Sequence, residues 1–319
     1  MGPTDTEGRP PRILVLRGGA IGDFVVTLPV LQWLRLAGPG TVIDLACHAR
    51  VAPLACGLVS QWREIDSAVF LPLYRETPIG EETLRDFLGD YDLVVSFLGS
   101  TTTPAERLRE LVGERAICLD PVPGSNTHHV TDFFFDQMGA AGLRAPSPEE
   151  SARIFPVIEV DARTREQARA LLDGHGLKHD QALVAVHPGS GSLGKNTPTG
   201  VLAEICQWLA EAFDDAAVFL VRGEADEGAV EGLVEQLGVA VPVVETLDLG
   251  VLAGALGECT LFVGHDSGIS HIAAAVGAPT VAVFVSTDPH VWAPRGPHVA
   301  VAEPTAESIR CASSSLAQR

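Results

Sequence analysis

Asp266, Ser267, Gly268 and His271 crowd the middle of VGHDSGISHIAAAVGAPTVAVF, residues 263–284. The apolar run 261–263 reads as a strand, and the small-residue pattern 269–276 as a helix. Gly277 and Pro279 close that helix, and a second strand opens at residues 280–285. Asp266 or Ser267 can cap the helix, Gly268 leaves its first amides bare, and the helix dipole favours an anion there. Ser267 and His271 are four residues apart and share a helix face, which aims His271 at whatever sits on the N-terminus. A capped helix with a satisfied polar histidine uses the same residues. Against that plainer role, four polar groups converge where an otherwise apolar helix meets a strand end, and buried polar groups need partners.

Three further strand ends carry chemical potential. In RGGAIGDFVVTLPVLQWL, residues 17–34, Arg17 is followed by Gly18, Gly19 and Gly22, and Asp23 opens a helix. The glycines let another molecule approach the backbone, and a carboxylate there can take a proton from a hydroxyl. Asp23 can equally be an N-cap that accepts free backbone N–H groups. Pro29 inside this helix pattern predicts a kink or a restart. In HPGSGSLGKNTP, residues 187–198, a strand end gives way to Gly and Ser, with Lys195 before a helix start at Pro198. Free amides, hydroxyls and one point charge suit a phosphate; a flexible loop with a surface lysine has the same composition. In LVRGEADEG, residues 220–228, Glu227, or less readily Glu224, can accept hydrogen bonds from sugar hydroxyls or belong to a solvated first turn. His128 and His129 in THHVTDFF, residues 127–134, can serve a cleft or cap a helix.

The elements that must hold these residues alternate along the whole chain. Strand-like runs at 13–16, 42–46, 68–71, 93–97 and 116–119 are continuous in Val, Ile and Leu, which suits a parallel sheet covered on both faces. Helix patterns occupy 25–36, 81–88, 104–112 and 130–141. LRAPSPEESARIFP, residues 143–156, has the composition of a linker. The alternation restarts with helix 163–173, strand 183–187, helix 199–212, strand 217–221, helix 227–237, strand 241–244 and helix 249–256. Two doubly wound α/β domains follow, residues 1–160 and 161–319, with the cleft between them as the expected site.

Composition narrows the function. The formal charge of −19 argues against nucleic acid and against broad adhesion to an anionic membrane. No apolar run reaches a membrane span, and the polar, Pro-rich start MGPTDTEGRPPR is not a signal peptide, which predicts a cytoplasmic protein with a loose N-terminus. The six cysteines form no CxxC pair or cluster with histidine, so buried reduced thiols are expected and no metal site. Lys178 and Lys195 are the only lysines, which draws attention to the setting of Lys195. Motifs for a P-loop, a zinc protease, a nucleophile elbow and a dinucleotide GxGxxG are absent, and GSGSLG at 189–194 lacks the dinucleotide spacing.

Together the pieces resemble glycosyltransferase family 9, the ADP-heptose:lipopolysaccharide heptosyltransferases. The resemblance runs through Arg17…Ile21-Gly22-Asp23…Thr27-Leu28-Pro29 and His187-Pro188-Gly189-Ser190…Lys195…Pro198. It continues in Val263-Gly264-His265-Asp266-Ser267-Gly268…His271-Ile272-Ala273-Ala274 and Thr287-Asp288-Pro289…Trp292-Ala293-Pro294-Arg295-Gly296. It implies a GT-B fold, two Rossmann-like domains facing across a cleft, the N-terminal one for the acceptor and the C-terminal one for a nucleotide sugar. It implies inverting, metal-independent transfer of a sugar, heptose from ADP-heptose in the family's name, to a hydroxyl of a lipopolysaccharide-core or other glycan, free or lipid-linked. No cofactor is implied beyond the donor substrate, and contact with the inner membrane is at most peripheral. Asp23 matches the general base, in a loop with Arg17, Gly18, Gly19 and Gly22 on the acceptor side. Lys195 matches the lysine on the donor diphosphate; Ser190, Asp266, Ser267, Gly268 and His271 match the donor motif, and Glu227 falls near the nucleotide-contacting glutamate. Three departures stand out. Lys195-Asn196-Thr197-Pro198 lacks the aromatic often found there, and His265 replaces an Asn or Thr-like residue. After Cys311 the chain runs out as ASSSLAQR, where many members continue with a helix packed on the N-terminal domain. Two rival readings share the fold: a sugar-nucleotide 2-epimerase, and a degenerate nucleotide-sugar-binding protein without activity. A dehydrogenase is weaker, because its fingerprint is missing.

Overall fold

The computed structural model of the chain describes residues 9–75, 80–124, 128–213 and 216–317. Most of the N-terminal stretch expected to be loose, and Thr127 of the 127–134 stretch, lie outside these residues. Two compact units divide between Phe155 and Pro156, five residues before the expected boundary. The reason is local: the Ile158 N–H donates to the Ala275 carbonyl at 3.0 Å, and the Ile158 side chain is buried in the second unit. Residues 143–156 are not a free linker either. The Trp33 indole donates to the Arg144 carbonyl at 2.8 Å, and Ser151 donates its hydroxyl to Asp132, which ties this stretch to the first unit.

The first unit runs β1 (Arg12–Leu16), α1 (Ile21–Val25), α2 (Leu28–Ala37), β2 (Val42–Cys47), β3 (Gln61–Glu64), α3 (Glu81–Gly89), β4 (Leu93–Ser96), α4 (Thr103–Val112), β5 (Ala116–Cys118), α5 (Val130–Ala140) and α6 (Pro148–Ser151). Its strands form one parallel sheet in the order β3-β2-β1-β4-β5. Alternation along β1 sends Leu14 and Leu16 to one face, where Phe70, Leu84, Leu88, Leu108 and Leu111 cover them. Helix α1 stops after Val25 and α2 restarts with Pro29 in its first turn, the break that Pro29 predicts.

The strand expected at 68–71 is absent. Those residues lie in a turn leading into a 3₁₀ helix, Leu71–Tyr74, and β3 is the edge strand instead. Its sequence QWRE is mostly exposed, so it offers none of the apolar continuity that marks the inner strands.

The second unit runs α7 (Ala162–Gly174), β6 (Leu183–His187), α8 (Thr199–Ala212), β7 (Ala217–Arg222), α9 (Glu227–Leu237), β8 (Val243–Glu245), α10 (Leu249–Gly257), β9 (Leu261–His265), α11 (Gly268–Ala275), β10 (Thr280–Val283), α12 (Pro289–Trp292), β11 (Val299–Ala302) and α13 (Ala306–Ala317). All strands are parallel, in the order β11-β10-β9-β6-β7-β8. Helices α8, α9 and α13 bury Leu202, Ile205, Leu209, Leu233, Ile309 and Leu316 against Val184, Val186, Leu220, Val263 and Val283. Each such fully buried side chain contributes about 1.5–3 kcal/mol. On α10, Gly254 admits α7 closely: a Cβ there would come within 2.8 Å of the Ala168 methyl.

The chain past Cys311, expected to run out, forms the second half of α13 and packs on its own unit, with Ser313 and Leu316 buried. All six cysteines are free; Cys47, Cys206 and Cys259 are buried, but Cys56 and Cys311 are exposed, contrary to the expectation for all six. Among the described residues no helix is long and apolar enough to cross a membrane.

Both sheets reverse their winding beside the first strand. In the second unit the chain leaves β6 toward β7 on one side and leaves β9 toward β10 on the other. The carboxyl ends of β6 and β9 therefore flank the crevice where such sheets bind ligands. In the first unit β1 and β4 stand in the same relation.

Candidate active site

At the β6–β9 crevice the two loops are tied together by a buried histidine. His265, the last residue of β9, is fully buried. Its Nδ1 lies 3.3 Å from the Gly189 carbonyl, and its Nε2 accepts the Thr197 N–H at 2.8 Å. Accepting at Nε2 leaves the ring proton on Nδ1, where it donates to Gly189. Burial pushes its pKa down to about 4, with the neighbouring His187 acting in the same sense, so the ring is neutral at neutral pH. This histidine holds both ends of the loop that carries Lys195.

Lys195 closes the other side of the crevice. Its Nζ donates to Asp266 Oδ2 at 2.7 Å, and the Thr287 hydroxyl donates to the same oxygen at 2.6 Å. Asp266 is therefore occupied, and Ser267 is the residue that caps α11, accepting the Ser270 N–H at 3.4 Å. The N–H groups of Gly268 and Ile269 have no carbonyl of their own helix to bond, so they and the helix dipole face the crevice with positive potential. His271, one turn further on, is buried at 4 % exposure, and its backbone N–H donates to the Ser267 carbonyl at 3.3 Å. Ser190 organises the loop itself, its hydroxyl lying 2.7 Å from the Ser192 carbonyl and 2.5 Å from Asn196 Oδ1.

Beneath Ser267 lies a buried pair that the motif reading did not assign. His187 Nε2 is 2.7 Å from Asp226 Oδ2, and both side chains are nearly inaccessible. His187 Nδ1 is 3.2 Å from the Ser267 hydroxyl. Burial disfavours the Asp226 charge, but the His187 hydrogen bond, the electrostatic attraction of His187 and the N–H groups of Gly191 and Gly223 outweigh it, and the carboxyl stays below its ordinary range. An ionised Asp226 only accepts, so Nε2 carries a proton. The backbone makes room for this carboxylate: a Cβ on Gly189 would fall 1.8 Å from Asp226 Oδ1, and one on Gly223 2.5 Å from Oδ2. Asp226 stands one residue before α9, whereas Glu227 is its exposed first residue. The signal for Asp226 was its position ahead of the helix pattern; the signal for His187 was a histidine ending a fully buried strand.

In the first unit β1 delivers Arg17 and α1 delivers Asp23. Ala20, not Asp23, is the N-cap of α1. Asp23 is the third helical residue, and its Oδ2 reaches back to accept the Ala20 N–H at 3.1 Å. Gly19, at φ 97°, makes the turn possible; a Cβ there would sit 3.0 Å from Asp23 Oδ2. Gly18 precedes this turn, and Gly22 lies inside the first turn of α1. Arg17 is 2 % exposed and donates twice to the Asp23 carbonyl, at 3.0 and 2.7 Å. It lies over the rings of Phe97 and Phe134 and 3.8 Å from Asp23 Oδ1. Burial pushes its pKa down to about 10 and Asp23 pulls the other way, so Arg17 remains a cation. The Asp23 carboxylate keeps 34 % of its side chain open to solvent, beside a fixed positive charge. His129 caps α5, accepting the Thr131 N–H, and His128 lies 3.3 Å from Asp136. Among the described residues one set of His and carboxylate ligands stands close enough to hold a metal ion: His48, Glu64 and Asp66, on the carboxyl ends of β2 and β3. His48 Nδ1 is 3.4 Å from each carboxylate.

Comparison with known proteins matches this geometry to a family. The family model for glycosyltransferase family 9 (heptosyltransferase) matches residues 126–315. Lipooligosaccharide heptosyltransferase 2 of Haemophilus ducreyi is 24 % identical over 312 residues, covering 89 % of this chain and 86 % of its own. Among solved structures, the family 9 glycosyl transferase from Veillonella parvula superposes with a TM-score of 0.78 at 20 % identity, covering 97 % of each chain. The E. coli ADP-heptose lps heptosyltransferase II superposes with a TM-score of 0.72 at 16 % identity, covering 96 % of this chain and 98 % of its own. The two-unit α/β architecture is thus the GT-B fold of these structures.

Proposed function

The chain belongs to glycosyltransferase family 9 (heptosyltransferase), and from that premise we propose that it moves heptose from ADP-heptose to a hydroxyl of a lipopolysaccharide-core acceptor, with inversion and without a metal ion. The observation that carries the donor half is the crevice between β6 and β9, where Lys195 is held beside the α11 N-terminus by Asp266. A nucleoside diphosphate brings more negative charge than the single carboxylate of Asp266 and competes with it for Lys195. The N–H groups of Gly268 and Ile269 and the Ser267 hydroxyl add donors on the same side. As the bond from the anomeric carbon to the phosphate oxygen breaks, the departing diphosphate gains charge, and these preorganised groups stabilise it in the role a metal plays elsewhere. ADP-heptose as the donor is supported by the printed name of the E. coli relative, and the lipid-linked acceptor by that of the H. ducreyi relative.

Asp23 supplies the base. The acceptor hydroxyl passes its proton to the Asp23 carboxylate as its oxygen bonds to the anomeric carbon from the face opposite the leaving phosphate. Arg17 fixes the backbone of α1 from below through the Asp23 carbonyl, and the reach-back to Ala20 fixes the carboxylate. On this reading the protein works on the cytoplasmic side and meets its acceptor at the membrane face. The test is transfer: ADP-heptose and a heptose-deficient lipopolysaccharide core are incubated with the protein in EDTA, and the acceptor is weighed by mass spectrometry. A gain of one heptose with release of ADP supports the reading. Turnover of the nucleotide sugar without an acceptor, giving an epimer, would replace it.

A further inference from the structure

The His187–Asp226 pair lies beside the donor crevice: Asp226 meets the loop after β6 at Gly189 and Gly191, and His187 meets the α11 N-terminus at Ser267. With His187 neutral, Nε2–H donates to Asp226, and Nδ1 has a lone pair to accept the Ser267 hydroxyl proton across 3.2 Å. With His187 protonated, Nδ1–H donates to Ser267 instead, and the hydroxyl proton is released to another acceptor, either Ser270 Oγ at 3.3 Å or a phosphate on α11. The ring's protonation thus decides whether His187 holds the Ser267 proton or releases it. Among the described residues four titratable or charged groups on the neighbouring elements bear on it. Asp226 precedes α9, His265 ends β9 and is held neutral, His271 lies in α11, and Lys195 on the loop after β6 is occupied by Asp266. The rest of β6 is apolar. Asp226 already supplies the counter-charge that an imidazolium needs, and a phosphate bonded to Ser267 would supply a second, one hydroxyl away.

We propose that His187 is a positioning residue that takes up a proton when a nucleoside diphosphate docks at α11, and so turns the Ser267 hydroxyl from the ring toward the phosphate. The inference rests on the donor-site reading above. The proton comes from solvent, stays on Nδ1 while the nucleotide is bound, and leaves with it. No bond other than hydrogen bonds is made or broken.

Titration calorimetry with ADP at pH 8, in buffers of different protonation enthalpy, reads the protons taken up. The second phosphate pKa is about 6, so ADP itself is almost fully ionised there. The wild-type protein is expected to take up a substantial fraction of one proton per ADP, and ADP affinity to weaken as pH rises. His187→Gln keeps a donor toward Asp226 and cannot titrate; it is expected to abolish the uptake, flatten the pH dependence and weaken ADP about tenfold. His187→Asn, whose amide stands near Nδ1, is the second variant should the first melt early. ADP binding by the wild type with no proton uptake would overturn this inference and leave the donor site standing, and so would uptake unchanged in both variants. Failure of the wild type to bind ADP at all would overturn the donor-site reading and this inference with it.

Discussion

Gly189→Ala tests the buried pair by adding one carbon. The new Cβ would fall 1.8 Å from Asp226 Oδ1 and 2.1 Å from its Cγ. Real contacts do not go below about 3 Å, so either the backbone of the β6–α8 loop or Asp226 must move. Asp226 has little freedom, because His187 at 2.7 Å and the Gly223 N–H at 3.1 Å hold it. If it moves, a buried carboxylate loses its partners, a loss that typically costs about 3–5 kcal/mol. If the loop moves, the Gly189 carbonyl leaves His265, and the overpacking costs about 1–3 kcal/mol. In a unit of this size each kcal/mol lowers Tm by roughly 2–4 °C. The expected loss is therefore about 6–20 °C if the pair breaks and about 2–12 °C if the loop yields. The matched control is Gly194→Ala in the same loop, where a Cβ meets nothing within 4 Å and the expected change is within about 0.5 kcal/mol. Thermal and urea unfolding of the three proteins is the assay. If Gly189→Ala melted with the wild type while Gly194→Ala did too, the packing of Asp226 against the loop, and the reasoning built on it, would be refuted.

Three other outcomes follow from the same geometry. Asp23→Asn should lower transfer by about 10²–10⁴-fold, the usual loss of a general base, with ADP affinity unchanged by calorimetry; a parallel fall in ADP affinity would reject its role as base. Lys195→Ala removes a charged donor worth about 1.5–3 kcal/mol, so ADP should bind roughly ten- to a hundredfold more weakly, and unchanged affinity would reject its place on the phosphates. His265 is held neutral with its pKa lowered from 6.5 to about 4. Between those values the unfolded chain binds the proton that the folded chain refuses, so stability rises with pH through that window and is complete above it. Urea unfolding should lose up to about 3 kcal/mol as pH falls from 6.5 to 4 on this account. His265→Asn should flatten that slope, and an equal slope in the variant would contradict the assignment.

Much of this architecture was legible because inner strands of a parallel sheet must be apolar on both faces. β1, β2, β4, β6 and β9 announce themselves as runs of Val, Ile and Leu, and the helices between them by their spacing. Of the four edge strands, β5 and β8 fall on the expected runs 116–119 and 241–244, whereas β3 and β11 were not legible, for the same reason. β3 reads QWRE because only one of its sides meets a neighbour, and β11 is only partly buried. α13 hides in a stretch rich in Ser and Ala, where Ser313 is buried by donating to the Ile309 carbonyl of its own helix. At the site, Asp23, Lys195 and the Asp266–His271 stretch were visible because small residues and a lone charge stand out at strand ends. The division of labour among them was not. Whether Asp266 or Ser267 caps α11 depends on Lys195, seventy-one positions away in sequence. Asp226 was passed over for Glu227 because one residue decides whether a carboxylate precedes a helix, facing its neighbours, or lies along it, facing water.

The central claim is that the crevice between β6 and β9 holds a nucleoside diphosphate on Lys195 and the α11 N-terminus without a metal. Calorimetric titration of the purified protein with ADP, UDP and GDP, all in EDTA, tests it most directly. The account predicts saturable, selective binding of ADP, insensitive to EDTA. Selective binding of UDP or GDP would contradict the ADP-heptose donor, and no binding to any of the three would contradict the donor site itself.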